Sequence, residues 1–262
     1  MSDPTAHPEV PIIEMRGVSV GALRDQNSVV VEEVNWSVRA GDFWVVAGLQ
    51  GAGKSDFLLM TGGLMPPVAG EYRLFGELMP IFDEDRLPHR LRMGLAFEGG
   101  QLFNHLTIAE NVALPVQYHR DLSPKEARAQ IQPLLETLEL AEWADTTPGA
   151  MGRNWQKRAG LARALALGPE LLLVDSPLTG LDLRHTQWWL NFFDRFPKAQ
   201  DRPVTMVITS ADLQPWRERA RQFAVLRNKH LEVLGTWDQV ARARTDLLQE
   251  VMTTLPQLDQ TT

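Results

Sequence analysis

The segment Gly48-Leu49-Gln50-Gly51-Ala52-Gly53-Lys54-Ser55 matches the pattern G-x-x-x-x-G-K-S, and its residue types suit a polyphosphate. Glycines let successive backbone N–H groups turn inward around phosphate oxygens. A lysine at position 54 reaches the β and γ phosphates, a serine at 55 ligates Mg²⁺, and a helix starting there points its positive end at the anion. The plainer alternative is a glycine-rich turn between strand and helix, and the Lys-Ser pair weighs against it. A second feature is Leu171-Leu172-Leu173-Val174-Asp175, an apolar strand ending in a carboxylate that can hold Mg²⁺ through water. An aspartate closing a strand is commonplace and gains meaning only beside the loop. The six histidines are scattered without ligand spacing. There are no cysteines, which excludes disulfides, thiolate metal sites and cysteine nucleophiles.

The elements that must position these groups follow from hydrophobic patterning. Ile12 to Val20 and Val29 to Val38 read as strands around a polar turn at Arg24 to Asn27. Phe43 to Ala47 is a short buried strand entering the loop, and Asp56 to Gly62 continues as a helix. Gly70 to Phe75 and Met93 to Phe97 are further strands. From Thr107 to Leu167 the text turns helical, with Ser123-Pro124-Lys125-Glu126 as a capping signature. Leu171 to Val174 and Val204 to Ile208 are buried strands, Val225 to Leu226 and Leu231 to Val233 a late hairpin, and Trp237 to Met252 a closing helix. The expectation is an α/β fold with a parallel core sheet and a helical insert at about 105–167. One domain would run over residues 10–252, with 1–9 and 253–262 as flexible termini.

A length of 262 residues suits one well-cored α/β domain or two small ones, and 44% hydrophobic with 23% charged residues is ordinary for a globular chain. A net charge of −7 argues against nucleic-acid partners. Met1 to Val10 lacks the basic start and apolar core of a signal peptide, and no apolar run approaches the ~20 residues that span a bilayer. The expected location is cytoplasmic, with any membrane spans supplied by other subunits.

Taken with the loop, further segments give the chain a resemblance to the nucleotide-binding domains of ABC transporters over nearly its whole length. Phe97-Glu98-Gly99-Gly100-Gln101-Leu102-Phe103 and the following Leu106 to Val112 resemble the Q-loop and its helix. Gln156 to Leu165 resembles the helix after the signature motif, and Asp175-Ser176-Pro177-Leu178-Thr179-Gly180-Leu181-Asp182 resembles Walker B entering the D-loop. Gly-Gly-Gln-Leu-Phe and Glu-Asn-Val-Ala-Leu-Pro are most similar to the ATPases of Mla/Mce-type envelope lipid transporters. The resemblance implies a P-loop NTPase fold with parallel core sheet, antiparallel β-subdomain and α-helical subdomain. It also implies ATP and Mg²⁺ as ligands, a homo- or heterodimer of cassettes, integral membrane permease partners, and a place at the inner face of the cell membrane. Residues 48–55 would bind nucleotide, with Ser55 and Asp175 on the metal.

Departures from the family pattern gather at catalytic positions. The Q-loop glutamine is Glu98, and the signature Leu-Ser-Gly-Gly aligns with Met151-Gly152-Arg153-Asn154. The glutamate after Walker B is Ser176, the switch histidine aligns with Ala211, and Val18 to Leu23 lacks the aromatic that stacks on adenine. Loss of a positioned general base costs about 10²–10⁴ in rate, so hydrolysis at this loop should be slow or absent while binding is less damaged. Asp56, where the family has threonine facing the α phosphate, would repel ATP; its other reading is a first-turn acid favoured by the helix dipole. Glu98 suits Mg²⁺ or a substitute base, against the plainer reading of drift. Arg153 could act on a partner's phosphate as an arginine finger does, with Asn154 as helix N-cap, against the plainer reading of a solvated arginine. Trp155, Trp188 and Trp189 read as packing ahead of a partner surface. The alternative function is a non-hydrolysing scaffold that serves another subunit, and a third is an ATPase with substituted catalytic groups.

Overall fold

The structure is a computed structural model that describes residues 10–79, 84–200, 202–242 and 251–252. The expected flexible termini lie outside the described residues. Among the described residues, ten strands and seven α-helices follow in chain order: β1 (Ile13–Ala22), β2 (Asp25–Val38), β3 (Phe43–Ala47), α1 (Lys54–Thr61), β4 (Ala69–Leu74), β5 (Glu77–Leu78), α2 (Leu87–Leu91), β6 (Met93–Ala96), α3 (Ile108–His119), α4 (Pro124–Thr137), α5 (Arg153–Leu165), β7 (Leu171–Val174), α6 (Leu183–Arg195), β8 (Thr205–Ser210), β9 (Gln222–Arg227), β10 (His230–Gly235) and α7 (Trp237–Val240).

Two sheets form. The smaller, β2-β1-β4-β5, is antiparallel throughout, and the larger has the order β10-β9-β3-β8-β7-β6. In the larger sheet β9, β3, β8, β7 and β6 run parallel, while β10 closes the edge antiparallel to β9. The parallel strands need apolar residues on both faces because both are covered, and period-2 alternation sorts those residues into two cores. Phe43, Val45, Leu172, Val174, Met206 and Ile208 join the core beneath α3 to α6. Their neighbours Trp44, Val46, Leu171, Leu173 and Val207 join the core shared with α1 and the antiparallel sheet. The helical insert packs as α3 on α4 and α5. Its first two helices start at reciprocal capping boxes, Thr107 with Glu110 and Ser123 with Glu126.

Some boundaries differ from expectation. The polar stretch Asp25 to Asn27 continues β2, with the chain reversing at Leu23 and Arg24; its exposed residues resemble a loop in composition because this hairpin tip buries nothing. Helix α1 starts at Lys54, directly after Gly53, whose φ of 87° is open to glycine at little cost. The closing helix is described as Trp237–Val240, and most of its remaining span lies outside the described residues.

Candidate functional site

The phosphate-loop pattern sits between the end of β3 and the start of α1, where a parallel strand delivers the chain to a helix N-terminus. Gly51 at φ 82° and Gly53 at φ 87° take left-handed conformations that turn the loop. Gly48 N–H donates to the Ser210 carbonyl at 3.1 Å and Ala52 N–H to the Leu49 carbonyl at 3.1 Å. Lys54 Nζ lies over the loop, donating to the Gly48 carbonyl at 2.6 Å and the Leu49 carbonyl at 2.8 Å. Burial pushes the Lys54 ammonium below its ordinary pKa, and the carboxylates of Asp175 and Glu98 pull it back up. A cation, a helix start and turned backbone amides together form a seat for an anion of phosphate size.

Asp175 follows β7 and is buried, its backbone N–H bonded to the Ala96 carbonyl at 2.8 Å. Its Oδ1 accepts from Thr209 Oγ1 at 2.7 Å and from Ser176 Oγ at 3.2 Å. Ser176 takes φ 44°, outside the region most side chains prefer. The same Thr209 hydroxyl accepts the Ser176 N–H at 2.9 Å and so anchors both residues. A hydroxyl already bound to a carboxylate does not accept a proton from water near neutral pH, so Ser176 offers no general base.

Two adjoining cavities meet here. The smaller, about 310 Å³, is lined by Lys54, Ser55, Asp56, Glu98, Ser176 and Ala211 among others. The larger, about 940 Å³, shares Ser55 and Glu98 and adds Asp175, Arg153, Asn154 and Lys157. The structure thus brings Lys54, Ser55, Glu98, Asp175, Ser176 and Ala211 to one place. Mg²⁺ fits the donors present: Ser55 and Asp175 offer hard oxygen atoms, and this ion rarely needs an all-protein cage because phosphates and waters complete its shell. That also explains why no group of three or more His, Cys, Asp or Glu placed to hold a metal occurs among the described residues.

Asp56 has a structural partner. Its Oδ1 accepts the Leu23 N–H at 2.8 Å, which ties the exposed tip of the β1–β2 hairpin to the first turn of α1. Asn154 does not cap α5: Gly152 is the N-cap, Arg153 is the first helical residue, and the Asn154 side chain reaches Asp182 Oδ2 at 3.5 Å. The φ of −65° and ψ of 155° at Gly152 already supply the extended cap geometry one residue earlier. Arg153 is exposed on the rim of the larger cavity.

Three features escape sequence reading. Gly100 and Gly160 let the segment carrying Glu98 lie against α5, since a Cβ on Gly160 would stand 2.5 Å from the Gly100 Cα. Lys157 is buried and donates to the Thr179 carbonyl at 2.5 Å and the Ser176 carbonyl at 3.4 Å. Arg158, only 1% exposed, bonds Glu139 at 2.8 Å and His185 Nδ1 at 3.1 Å, and stacks between the rings of Trp155 and Trp188. Trp189 is buried beside Phe193. Of the three tryptophans, Trp189 is buried, while Trp155 and Trp188 are half-buried against Arg158.

Residues 31–179, more than half of the chain, match the family model described as ABC transporter. The sulfate/thiosulfate import ATP-binding protein of Nephroselmis olivacea is 31% identical over 214 residues, which is 80% of this chain and 59% of that protein. The chain thus spans less than two thirds of that relative's length. The intermembrane phospholipid transport system ATP-binding protein of Haemophilus influenzae is 28% identical over 234 residues, covering 89% of this chain and 87% of its own. Among solved structures, the dimeric bacterial ABC transporter cassette MJ0796 superposes with a TM-score of 0.71 at 26% identity, over 84% of this chain and 96% of its own. No described helix is long and apolar enough to cross a membrane.

Proposed function

The chain belongs to the ABC transporter family, and from that premise we propose that it is the ATP-binding subunit of a membrane transport complex, binding Mg·ATP and hydrolysing it slowly. Residues Gly48 to Ser55 hold the phosphates through backbone amides and Lys54, and Ser55 with Asp175 holds Mg²⁺, which when bound neutralises charge on the β and γ phosphates. Slow hydrolysis follows from the positions aligned with the family's base and switch histidine, which carry the Ser176 hydroxyl and the Ala211 methyl on a cavity wall that Glu98 also lines. Neither takes a proton from attacking water. The single observation that carries this reading is the Ser176 Oγ bound to Asp175 in the place where a base would be needed.

We further propose a dimer of cassettes, integral permease partners at the inner face of the cell membrane, and envelope lipid as cargo. The Gly99 to Phe103 and Glu110 to Pro115 wording supports the lipid reading, as does the likeness to the phospholipid-system relative. One domain over residues 10–252 fits the two shared cores. A scaffold that binds no nucleotide is the second reading, and the Asp56 carboxylate on the wall of the smaller cavity favours it.

Calorimetry with Mg·ATP on the purified chain, followed by phosphate release from the complex that co-purifies from membranes, tests the proposal. The expected result is binding that Lys54→Ala removes, with turnover far below the roughly 10 s⁻¹ of an ordinary enzyme. Absence of binding would establish the scaffold instead. Ordinary turnover abolished by Lys54→Ala and by Glu98→Ala would establish substituted catalytic groups.

A further inference from the structure

The wall of the larger cavity carries an unusual set of charges. Ser55, Glu98 and Asp175 line it, and α5 contributes two cations, Arg153 at its start and Lys157 in its second turn. Lys157 has 8% of its surface exposed, which is rare for a lysine unless charge or hydrogen bonds compensate. Two of the three N–H donors of its ammonium have partners, the carbonyls of Thr179 and Ser176. Those carbonyls belong to the segment immediately after Asp175, so the side chain bridges from α5 to the residues that follow β7. Burial lowers the Lys157 pKa, while Glu98 and then Asp175 raise it; the same two carboxylates act on Lys54. The same two carboxylates thus act on both ammonium groups through their charge.

Resting on the nucleotide-binding reading, we propose that Lys157 is a resident cation of the nucleotide site, making ATP binding depend only weakly on a divalent metal. The physical reason is charge balance. A triphosphate approaching Glu98 and Asp175 without a metal meets two negative groups, and Mg²⁺ ordinarily relieves that conflict. A fixed ammonium lining the same cavity as these carboxylates relieves part of it in advance. Lysine suits the task because its head is a compact point charge on a stem long enough to cross from α5. Removing the charge has a signed consequence: metal-free binding weakens, while the freed carboxylates hold Mg²⁺ better, so the metal dependence of binding grows.

The test is calorimetric titration of ATP into the full chain, once with excess Mg²⁺ and once with EDTA. The ratio of the two dissociation constants is the readout, because a general loss of structure weakens both. Lys157→Gln keeps an N–H donor for the Thr179 carbonyl and removes the charge. The expected result is a wild-type ratio below about tenfold, rising by about another tenfold in Lys157→Gln, the worth of one charge-assisted contact. Lys157→Arg should keep the wild-type ratio, and Glu98→Gln should lower it. Should Lys157→Gln fail to fold, a Glu98→Gln ratio that does not fall overturns the proposal on its own. An unchanged ratio in folded Lys157→Gln overturns it while leaving the nucleotide-binding reading intact; only failure of wild type to bind ATP in both buffers would remove that reading too.

Discussion

Replacing Ser176 with glutamate asks whether one missing carboxylate limits turnover. Ser176 is buried, sits at φ 44°, and gives its hydroxyl to Asp175 while lying 3.3 Å from Thr209 Oγ1. Ser176→Glu loses those contacts, each worth about 1 kcal/mol. The backbone cost of the left-handed conformation, about 1–2 kcal/mol for a residue with a Cβ, is common to both side chains and cancels. The larger side chain has somewhere to go, because Ser176 already faces a cavity of about 310 Å³. Stability should therefore fall by about 1–3 kcal/mol. Against this, a positioned general base contributes about 10²–10⁴ in rate. Crowding by Asp175 and Glu98 raises the new carboxyl's pKa toward that of a useful base. The methyl group of Ala211 leaves the γ phosphate without a side-chain donor there, so the expected gain is at the lower end, about ten- to a thousandfold. Phosphate release at saturating Mg·ATP measures it, with Lys54→Ala added to Ser176→Glu as the control for contaminating activity. If Ser176→Glu binds ATP, melts cooperatively and turns over no faster than wild type, the argument from Ser176 fails.

Asp56→Asn keeps an oxygen for the Leu23 N–H and removes a charge beside the phosphate seat. ATP should bind about 3- to 30-fold more tightly, from a Coulomb repulsion of about 0.7–2 kcal/mol for a partly screened charge. Unchanged or weaker binding by calorimetry would leave Asp56 a purely structural tether. His185 gives a pH dependence: burial, then the Arg158 guanidinium against Nδ1, lowers its pKa below 6.5, with Arg184 acting the same way and Asp182 and Glu139 opposing. Below about 6.5 the unfolded chain therefore binds more protons than the folded one, so this group's share of stability is complete above that pH and lost as pH falls. Urea unfolding at pH 7.5 and pH 5 should show a larger drop for wild type than for His185→Gln, and equal drops would refute the assignment.

Legibility in the sequence tracked the distance over which a feature is determined. The loop at residues 48–55, the capping box at Ser123 and Glu126, and the continuous apolar strands Phe43–Ala47 and Leu171–Val174 are set by neighbours a few positions away. Placement of Asp175 and Glu98 beside the loop needed the resemblance as well, because no local pattern says that β6 and β7 run alongside one another. Asp56 is ambiguous in the sequence because its partner, the Leu23 N–H, lies 33 residues away beside the polar turn of the β1–β2 hairpin. Lys157 carries no local signal, because lysine on a helix is ordinarily solvated; what buries it is the path of the chain after Asp175. Gly100 and Gly160 look unremarkable singly and acquire meaning only as a touching pair. Asn154 suits a cap by residue type, while the chain enters α5 at Gly152.

Binding and hydrolysis are separable in this site because different kinds of atoms carry them. The phosphate seat is built mainly from backbone: Gly48 N–H on Ser210, Lys54 closing on the carbonyls of Gly48 and Leu49, and two glycines with positive φ. None of those contacts involves the side chain at position 176 or 211, so either position can change without loss of the seat. Proton transfer from water, by contrast, depends on one side chain of the right pKa at one position, and nothing in the backbone substitutes for it. Thr209 couples the two halves, since its single hydroxyl binds both the Asp175 carboxylate and the Ser176 amide. Asp175, proposed to hold Mg²⁺, and Ser176, aligned with the family's catalytic glutamate, are therefore oriented by one atom. The backbone and carboxylate framework of the site can thus stay ordered while the chemical step is weak, and this is why ATP affinity and turnover must be measured separately in this chain.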